Sequence, residues 1–281
     1  MAKRSKCCLV GIADDHGVLN VGGRLGASQG PAAFRKAWMR LSGERGVVKA
    51  VQDLGNTPGA GTENSHRQTA DFVRKAQAEW GLSMIVGGGH DHGYSQLLGV
   101  KEALGKKARI ACINIDAHFD LRKPSPQIGS GSPYYLAIES GVLDPKRFTE
   151  FGIQAHCNSP ELWEYARQKR IRTLLWADLR NGKAITSFNK ELKKLAAISD
   201  AVVVSFDLDA AASAFAPGVS APQAEGFSAS EMIEMAEIAG LEKKVVSLGI
   251  FELNPFHDIQ EMTSRLAATC AFHFADAALE G

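Results

Sequence analysis

The chain has 281 residues, 45% of them hydrophobic, which is enough to fill one large α/β core and too much for a disordered chain. Lys and Arg number 32 against 31 Asp and Glu, so a formal charge of +1 gives no reason to expect nucleic acid or an anionic membrane as partner. Five scattered cysteines, Cys7, Cys8, Cys112, Cys157 and Cys270, contain no CxxC pair, which excludes a disulfide frame or a zinc cage and suits a reducing cytoplasm.

Lys3, Arg4 and Lys6 precede an apolar run that meets Asp14 and Asp15 at once, which makes a poor signal peptide. No apolar run approaches the roughly 18 residues of a membrane span. Short runs rich in Val, Ile and Leu recur at 7–13, 47–54, 82–86, 108–116, 147–154, 171–177, 200–208 and 244–253, with helix-length segments between most of them. Strands alternating with helices predict a mostly parallel sheet in a single domain spanning 1–281. Pro31 suits a first helical position, with Phe34, Trp38 and Leu41 following at helical spacing. Ser159 before Pro160 reads as an N-cap, and Ser228 with Glu231 has the form of a capping box. A last helix is expected over about 258–279. The doublets Lys106/Lys107, Lys193/Lys194 and Lys243/Lys244 read as solvated helix ends, and Cys112 as a small buried hydrophobe. The stretch from Lys123 to Ser132, rich in Pro, Gly and Ser, reads as a loop walling a site at the carboxyl edge of the sheet.

The chemistry concentrates at three predicted strand ends. The run 108–116 leads into Asp116, Ala117, His118, Phe119, Asp120, and the run 200–208 ends on Asp207, Leu208, Asp209. In extended chain alternate residues point the same way, so each segment aims its ligand-type side chains at one spot. The run 82–86 is followed by Gly87, Gly88, Gly89 and His90. Four carboxylates meeting at one edge would repel one another without a counter-charge, and two divalent cations balance them. Predominantly oxygen ligands favour a hard ion such as Mn²⁺, although imidazole also accepts Zn²⁺, Co²⁺ or Ni²⁺. The glycine run does not fit a dinucleotide fingerprint, because position 92 is His, and no P-loop Lys-Ser/Thr pair follows. It reads instead as backbone passing close to a metal.

GGGH at 87–90, DAHFD at 116–120 and SFDLD at 205–209 closely resemble the metal signatures of the ureohydrolase, or arginase, family, over about Gly22 to Pro255. The resemblance implies an α/β/α sandwich on an eight-stranded, mostly parallel sheet and two manganese ions. His90, Asp116, Asp120 and Asp207 would surround one ion, and His118, Asp116, Asp207 and Asp209 the other. Within the family the likeness is closest to the formimidoylglutamases, through INIDAHFDLR at 113–122, GSGSPY at 129–134, APGVSAP at 216–222 and FELNPFHD at 251–258. The arginases' loop histidine, which serves proton transfer, has no counterpart at 129–134. Asp91 and His92 stand where those enzymes usually carry Glu and a small residue.

The activity so implied is hydrolysis of N-formimidoyl-L-glutamate to glutamate and formamide, a step of histidine degradation, by a hydroxide bridging the metals. Divalent metal lowers the pKa of bound water from about 15.7 toward 7. Glu252 is the candidate to grip the amidine nitrogens and Arg122 to bind a substrate carboxylate, with Ser130 and Ser132 as further hydrogen-bond donors to the substrate. One alternative is another ureohydrolase releasing urea from a guanidino acid or agmatine, although Arg122 would repel a cationic tail. The other is a catalytically silent binding or scaffold homologue, whose usual mark is loss of a ligand, and none is lost here. The partner is then a small amidine or guanidine compound, with no nucleic acid and no membrane. Family members often form trimers or hexamers, and no residue here decides whether this chain is a homo-oligomer.

Overall fold

A computed structural model describes residues 6–58 and 64–280, so the basic residues Lys3 and Arg4 lie outside the described residues. The eight apolar runs form eight strands: β1 (Cys7–Gly11), β2 (Val51–Asn56), β3 (Ser83–Val86), β4 (Ile110–Ile115), β5 (Phe148–Ile153), β6 (Arg172–Leu175), β7 (Ala201–Asp207) and β8 (Val245–Phe251). They make one sheet in the order β2-β1-β3-β8-β7-β4-β5-β6, with every neighbouring pair parallel.

Period-two alternation sends successive side chains of each central strand to opposite faces. On β4, Ala111, Ile113 and Ile115 join a core with Phe188, Met235 and Phe274 from helices Ala184–Ile198, Ala229–Leu241 and Met262–Glu280. Ile110 and Cys112 join the opposite core with Val73, Leu97 and Tyr134 from helices Ser65–Trp80, His92–Leu104 and Pro133–Glu139. Helices therefore cover both faces, as parallel strands require. Burying each large side chain such as Phe188 or Phe274 contributes roughly 1.5–3 kcal/mol. Among the described residues no helix is long and apolar enough to cross a membrane.

Most departures from the expected elements lie at their ends. Val47 and Val48 belong to a helical turn, Val47–Ala50, so β2 begins at Val51. The run at 171–177 gives way to a turn at Trp176–Leu179. The last helix starts at Met262 because the Asp258 carboxylate accepts the N–H groups of Thr263 and Ser264 at 2.9 and 3.0 Å, covering the amides a helix start exposes. The capping box of Ser228 and Glu231 is present in both directions, whereas Ser159 occupies its cap position without a side-chain hydrogen bond to the helix backbone. Lys193 and Lys194 sit inside helix Ala184–Ile198 rather than at an end. Lys244 instead reaches back to the carbonyls of Ala196 and Ser199 at that helix's C-terminus.

Candidate metal centre

The ligand-type residues sit at the carboxyl ends of adjacent central strands β3, β8, β7 and β4. His90 follows β3, Glu252 follows β8, Asp207 ends β7 with Asp209 just beyond, and Asp116, His118 and Asp120 follow β4. Parallel pairing points all four strand ends the same way, toward the carboxyl edge where open parallel sheets bind their ligands.

Convergence within each segment comes from turns rather than from extended alternation. The Asp116 carboxylate accepts the N–H of His118 at 2.7 Å, and that of Asp207 accepts the N–H of Asp209 at 2.8 Å. In both cases an aspartate bonds its own backbone two residues on and folds the chain back, so the next ligand returns to the same spot. Asp120 completes its turn in the left-handed region at φ 50°. The glycine run also has a different cause from the one expected: a Cβ on Gly88 would fall 1.6 Å from the Asp14 carbonyl oxygen, and one on Gly87 would meet the Phe251 ring. Glycine is needed because the chain crosses Asp14 and Phe251 there.

His90 Nδ1 lies 3.2 Å from Asp116 Oδ2, 3.0 Å from Asp120 Oδ2 and 3.1 Å from Asp207 Oδ2. His118 Nδ1 lies 3.1 Å from Asp209 Oδ2 and 3.5 Å from Asp116 Oδ1. Two groups result, His90 with Asp116, Asp120 and Asp207, and His118 with Asp116 and Asp209. Asp116 is common to both. Asp207, which the resemblance would also share between the ions, falls in the first group, and its other oxygen accepts the Asp209 N–H as Asp116 Oδ1 accepts that of His118.

The electrostatics are those of a site short of positive charge. Burial raises the Asp207 carboxyl well above its ordinary range, with Asp209 and Asp116 adding repulsion. Burial likewise moves Asp209 to about 7 against the attraction of His118, with Asp116 repelling. Asp116 goes the other way despite its burial, because hydrogen bonds to His118 and His90 hold it below the carboxylate range. Burial works against charge on His90 and His118, yet Tyr134 with the carboxylates of Asp116, Asp120 and Asp207 raises His90, and those of Asp209 and Asp116 raise His118, well above the usual histidine range. Asp120 Oδ2 and Asp209 Oδ1 are buried without any hydrogen-bond donor among the described residues. Buried oxygens lacking donors, crowded around two imidazoles, form a donor set that fits hard divalent cations.

His90 is held from behind by residues whose roles the sequence did not reveal. Its Nε2 lies 2.9 Å from Ser205 Oγ and 3.2 Å from the Tyr134 hydroxyl, which donates to Asn114. That leaves Nδ1 to face the carboxylates, the usual way a second hydrogen bond fixes a ligating imidazole. Ser205 and Tyr134 lie inside the SFDLD and GSGSPY stretches, so proximity to ligand motifs was their available signal.

A cavity of about 260 Å³ opens over the cluster, lined by His90, His118, Asp120, Asp207 and Asp209 on its floor and by Glu252, Arg122, Ser130 and Arg24 on its walls. Glu252, at φ 65°, accepts the His90 N–H through Oε1 at 3.0 Å, while its Oε2 is buried without a donor. Burial and the nearby Asp207 raise this carboxyl well above its ordinary range. Arg122 donates its backbone N–H to the Gly131 carbonyl, tying it to the 123–132 loop. Ser132 is buried at the start of helix Pro133–Glu139 and is not among the lining residues. Arg24, which no sequence motif singles out, donates Nε to the Ser220 carbonyl at 2.9 Å and lines the cavity. Neither Arg24 nor Arg122 forms an ion pair with an acidic side chain among the described residues.

Comparison with known proteins agrees with this geometry. The sequence matches the Arginase family over residues 5–275. It is 33% identical over 269 residues to the formimidoylglutamase of Geobacillus kaustophilus, covering 95% of this chain and 82% of that protein. It is 32% identical over 277 residues to the formimidoylglutamase of Streptococcus pyogenes serotype M12. The crystal structure of Trypanosoma cruzi formiminoglutamase with Mn²⁺ superposes with a TM-score of 0.87 at 28% identity, covering 98% of this chain and 94% of that one. Proclavaminate amidino hydrolase from Streptomyces clavuligerus, 21% identical with a TM-score of 0.85, shares the fold.

Proposed function

The chain belongs to the arginase family, and on that premise we propose that it hydrolyses N-formimidoyl-L-glutamate to L-glutamate and formamide at a dinuclear manganese centre. The observation that carries the substrate is one cavity joining the carboxylate–imidazole cluster to two arginines with no acidic partner among the described residues. His90, Asp116, Asp120 and Asp207 would hold one ion and His118, Asp116, Asp207 and Asp209 the other, with Asp116 and Asp207 offered to both. When bound, the ions supply Lewis acidity and a hydroxide at neutral pH for attack on the amidine carbon.

The protein's own groups orient the substrate. Glu252 Oε2, buried and without a donor, accepts an amidine N–H in a charge-assisted hydrogen bond while Oε1 stays on the His90 backbone. The substrate carries two carboxylates and the walls carry two guanidiniums, so Arg122 and Arg24 take one each, with Ser130 adding a hydrogen bond. Cationic agmatine would face both arginines with the wrong charge. The whole chain 1–281 works as one domain, because the site draws on strands β3, β4, β7 and β8 of a single sheet. A reducing cytoplasm is the proposed setting, supported by five cysteines that form no disulfide.

Manganese-loaded protein should release formamide from N-formimidoyl-L-glutamate faster than urea from arginine, agmatine or guanidinobutyrate. Urea from a guanidino acid as the dominant product would transfer the assignment to the other ureohydrolases. Arg122→Ala and Arg24→Ala should each raise KM about 10–100-fold with the fold intact, since a charged hydrogen bond contributes about 1.5–3 kcal/mol. An unchanged KM would remove that arginine from the substrate site.

A further inference from the structure

A second group of metal-ligating side chains lies outside the centre described above. We propose that His66, Asp91 and His92 form a third divalent-cation site, selective for a borderline ion of the Zn²⁺ or Co²⁺ kind.

The geometry of the ligand atoms carries this inference. His66 Nε2 lies 3.2 Å from Asp91 Oδ2, and His92 Nε2 lies 3.8 Å from the same oxygen. All three atoms fall within 4.8 Å of one another. Tetrahedral bonds of about 2.0–2.1 Å separate neighbouring ligand atoms by roughly 3.3–3.4 Å, so the two distances to Asp91 Oδ2 are already within about half an ångström of those around a bound cation. Asp14 Oδ2 stands 3.2 Å from His92 Nε2 on the other side, adding a second carboxylate to balance a divalent charge.

The far side of both rings is already arranged for ligation. The Nδ1 atoms of His66 and His92 meet the same hydroxyl, Ser95 Oγ, at 3.0 and 3.2 Å. One hydroxyl oxygen has two lone pairs and can accept from both rings at once. With both rings donating through Nδ1, both Nε2 atoms would present lone pairs toward Asp91, an arrangement that a cation completes. Metal-bound histidines are commonly fixed in this way by a hydrogen bond from their other nitrogen. The Asp91 carboxylate is itself under-satisfied, since its Oδ1 is buried without a donor among the described residues.

The site also has an entrance. His66 and Asp91 line a cavity of about 400 Å³ together with Asp14, His16 and residues 126–128. This cavity lies on the other flank of the 123–132 loop from the substrate cavity, which Ser130 and Gly131 line. Three protein ligands and a cavity-facing fourth position leave room for water on the ion. Two imidazoles and one carboxylate distinguish this set from the oxygen-rich main centre, hence the preference for a softer ion than Mn²⁺.

Manganese-loaded, dialysed protein titrated with Co²⁺ tests this, with both metals counted by elemental analysis and the visible spectrum recorded. The expected result is one equivalent of Co²⁺ bound with two Mn²⁺ retained, and tetrahedral Co²⁺ absorption that grows to one equivalent. His66→Gln, at a partly exposed position, should lose the cobalt equivalent and keep both manganese ions and turnover. Wild-type protein that takes up no cobalt, or takes it up only as manganese leaves, overturns the proposal by itself. So does a cobalt equivalent that survives in His66→Gln. Should that variant fail to fold, Asp91→Asn is read by the same two metal counts.

Discussion

Asp116 serves both halves of the centre through its two oxygens, Oδ2 toward His90 and Oδ1 toward His118, and Oδ1 also accepts the His118 N–H. Asp120 and His118 have narrower roles, each facing one half. Asp120→Ala and His118→Ala should therefore abolish turnover through loss of metal. Elemental analysis checks this, and two retained equivalents of manganese with near-normal turnover in both variants would contradict it. These side chains were legible in the sequence because the ligand types recur at every second position, 116, 118 and 120, then 207 and 209, within reach of a single turn. Arg24 was not, because it reaches the cavity from a remote part of the chain, anchored by the carbonyls of Val219 and Ser220. No local spacing encodes such a contact.

At the scale of elements, the sequence located all eight strands but missed several ends. Apolar content marks what is buried, whereas an element ends where a cap or crossing chain stops it. The helix at Met262–Glu280 shows this, since its apolar periodicity says nothing of the Asp258 carboxylate that sets its start. The helix Ala229–Leu241 is the converse case, with its start written in sequence as Ser228 and Glu231. Ser228 Oγ accepts the Glu231 N–H and the Glu231 carboxylate accepts the Ser228 N–H. Ser228→Ala removes half of this exchange and should cost about 1 kcal/mol. For a chain of this size that lowers Tm by about 2–4 °C, readable by calorimetry. Because the helix packs on the sheet face away from the ligand-bearing edge, kcat should stay within about twofold. An unchanged Tm would show that helix–sheet packing alone fixes the helix start.

For the whole molecule, the strand order was beyond the sequence, because periodicity specifies parallel strands without saying which are neighbours. That order makes β3, β8, β7 and β4 adjacent and so gathers five acidic groups and two histidines at one edge. Without metal this crowding opposes folding in a pH-dependent way. Asp207, Asp209 and Glu252 keep their protons to higher pH in the folded chain than in the unfolded one. The metal-free fold thus binds more protons, and its stability falls as pH rises from the carboxylate range through about 7, where Asp209 titrates. His90 and His118, both raised, act in the same direction: their stabilising charge is present below the usual histidine range and is lost as pH passes their folded values. Asp116, held low, stabilises fully above the carboxylate range and so adds no slope between pH 6 and 8. Manganese needs deprotonated ligands and replaces those protons, so its benefit grows as they leave. Chelated protein should therefore melt lower at pH 8 than at pH 6, and the Tm gain on adding manganese should be larger at pH 8. Scanning calorimetry of the chelated and loaded forms at both pH values measures this, and a chelated Tm that is flat or rising between them would refute the charge crowding on which the dinuclear reading stands.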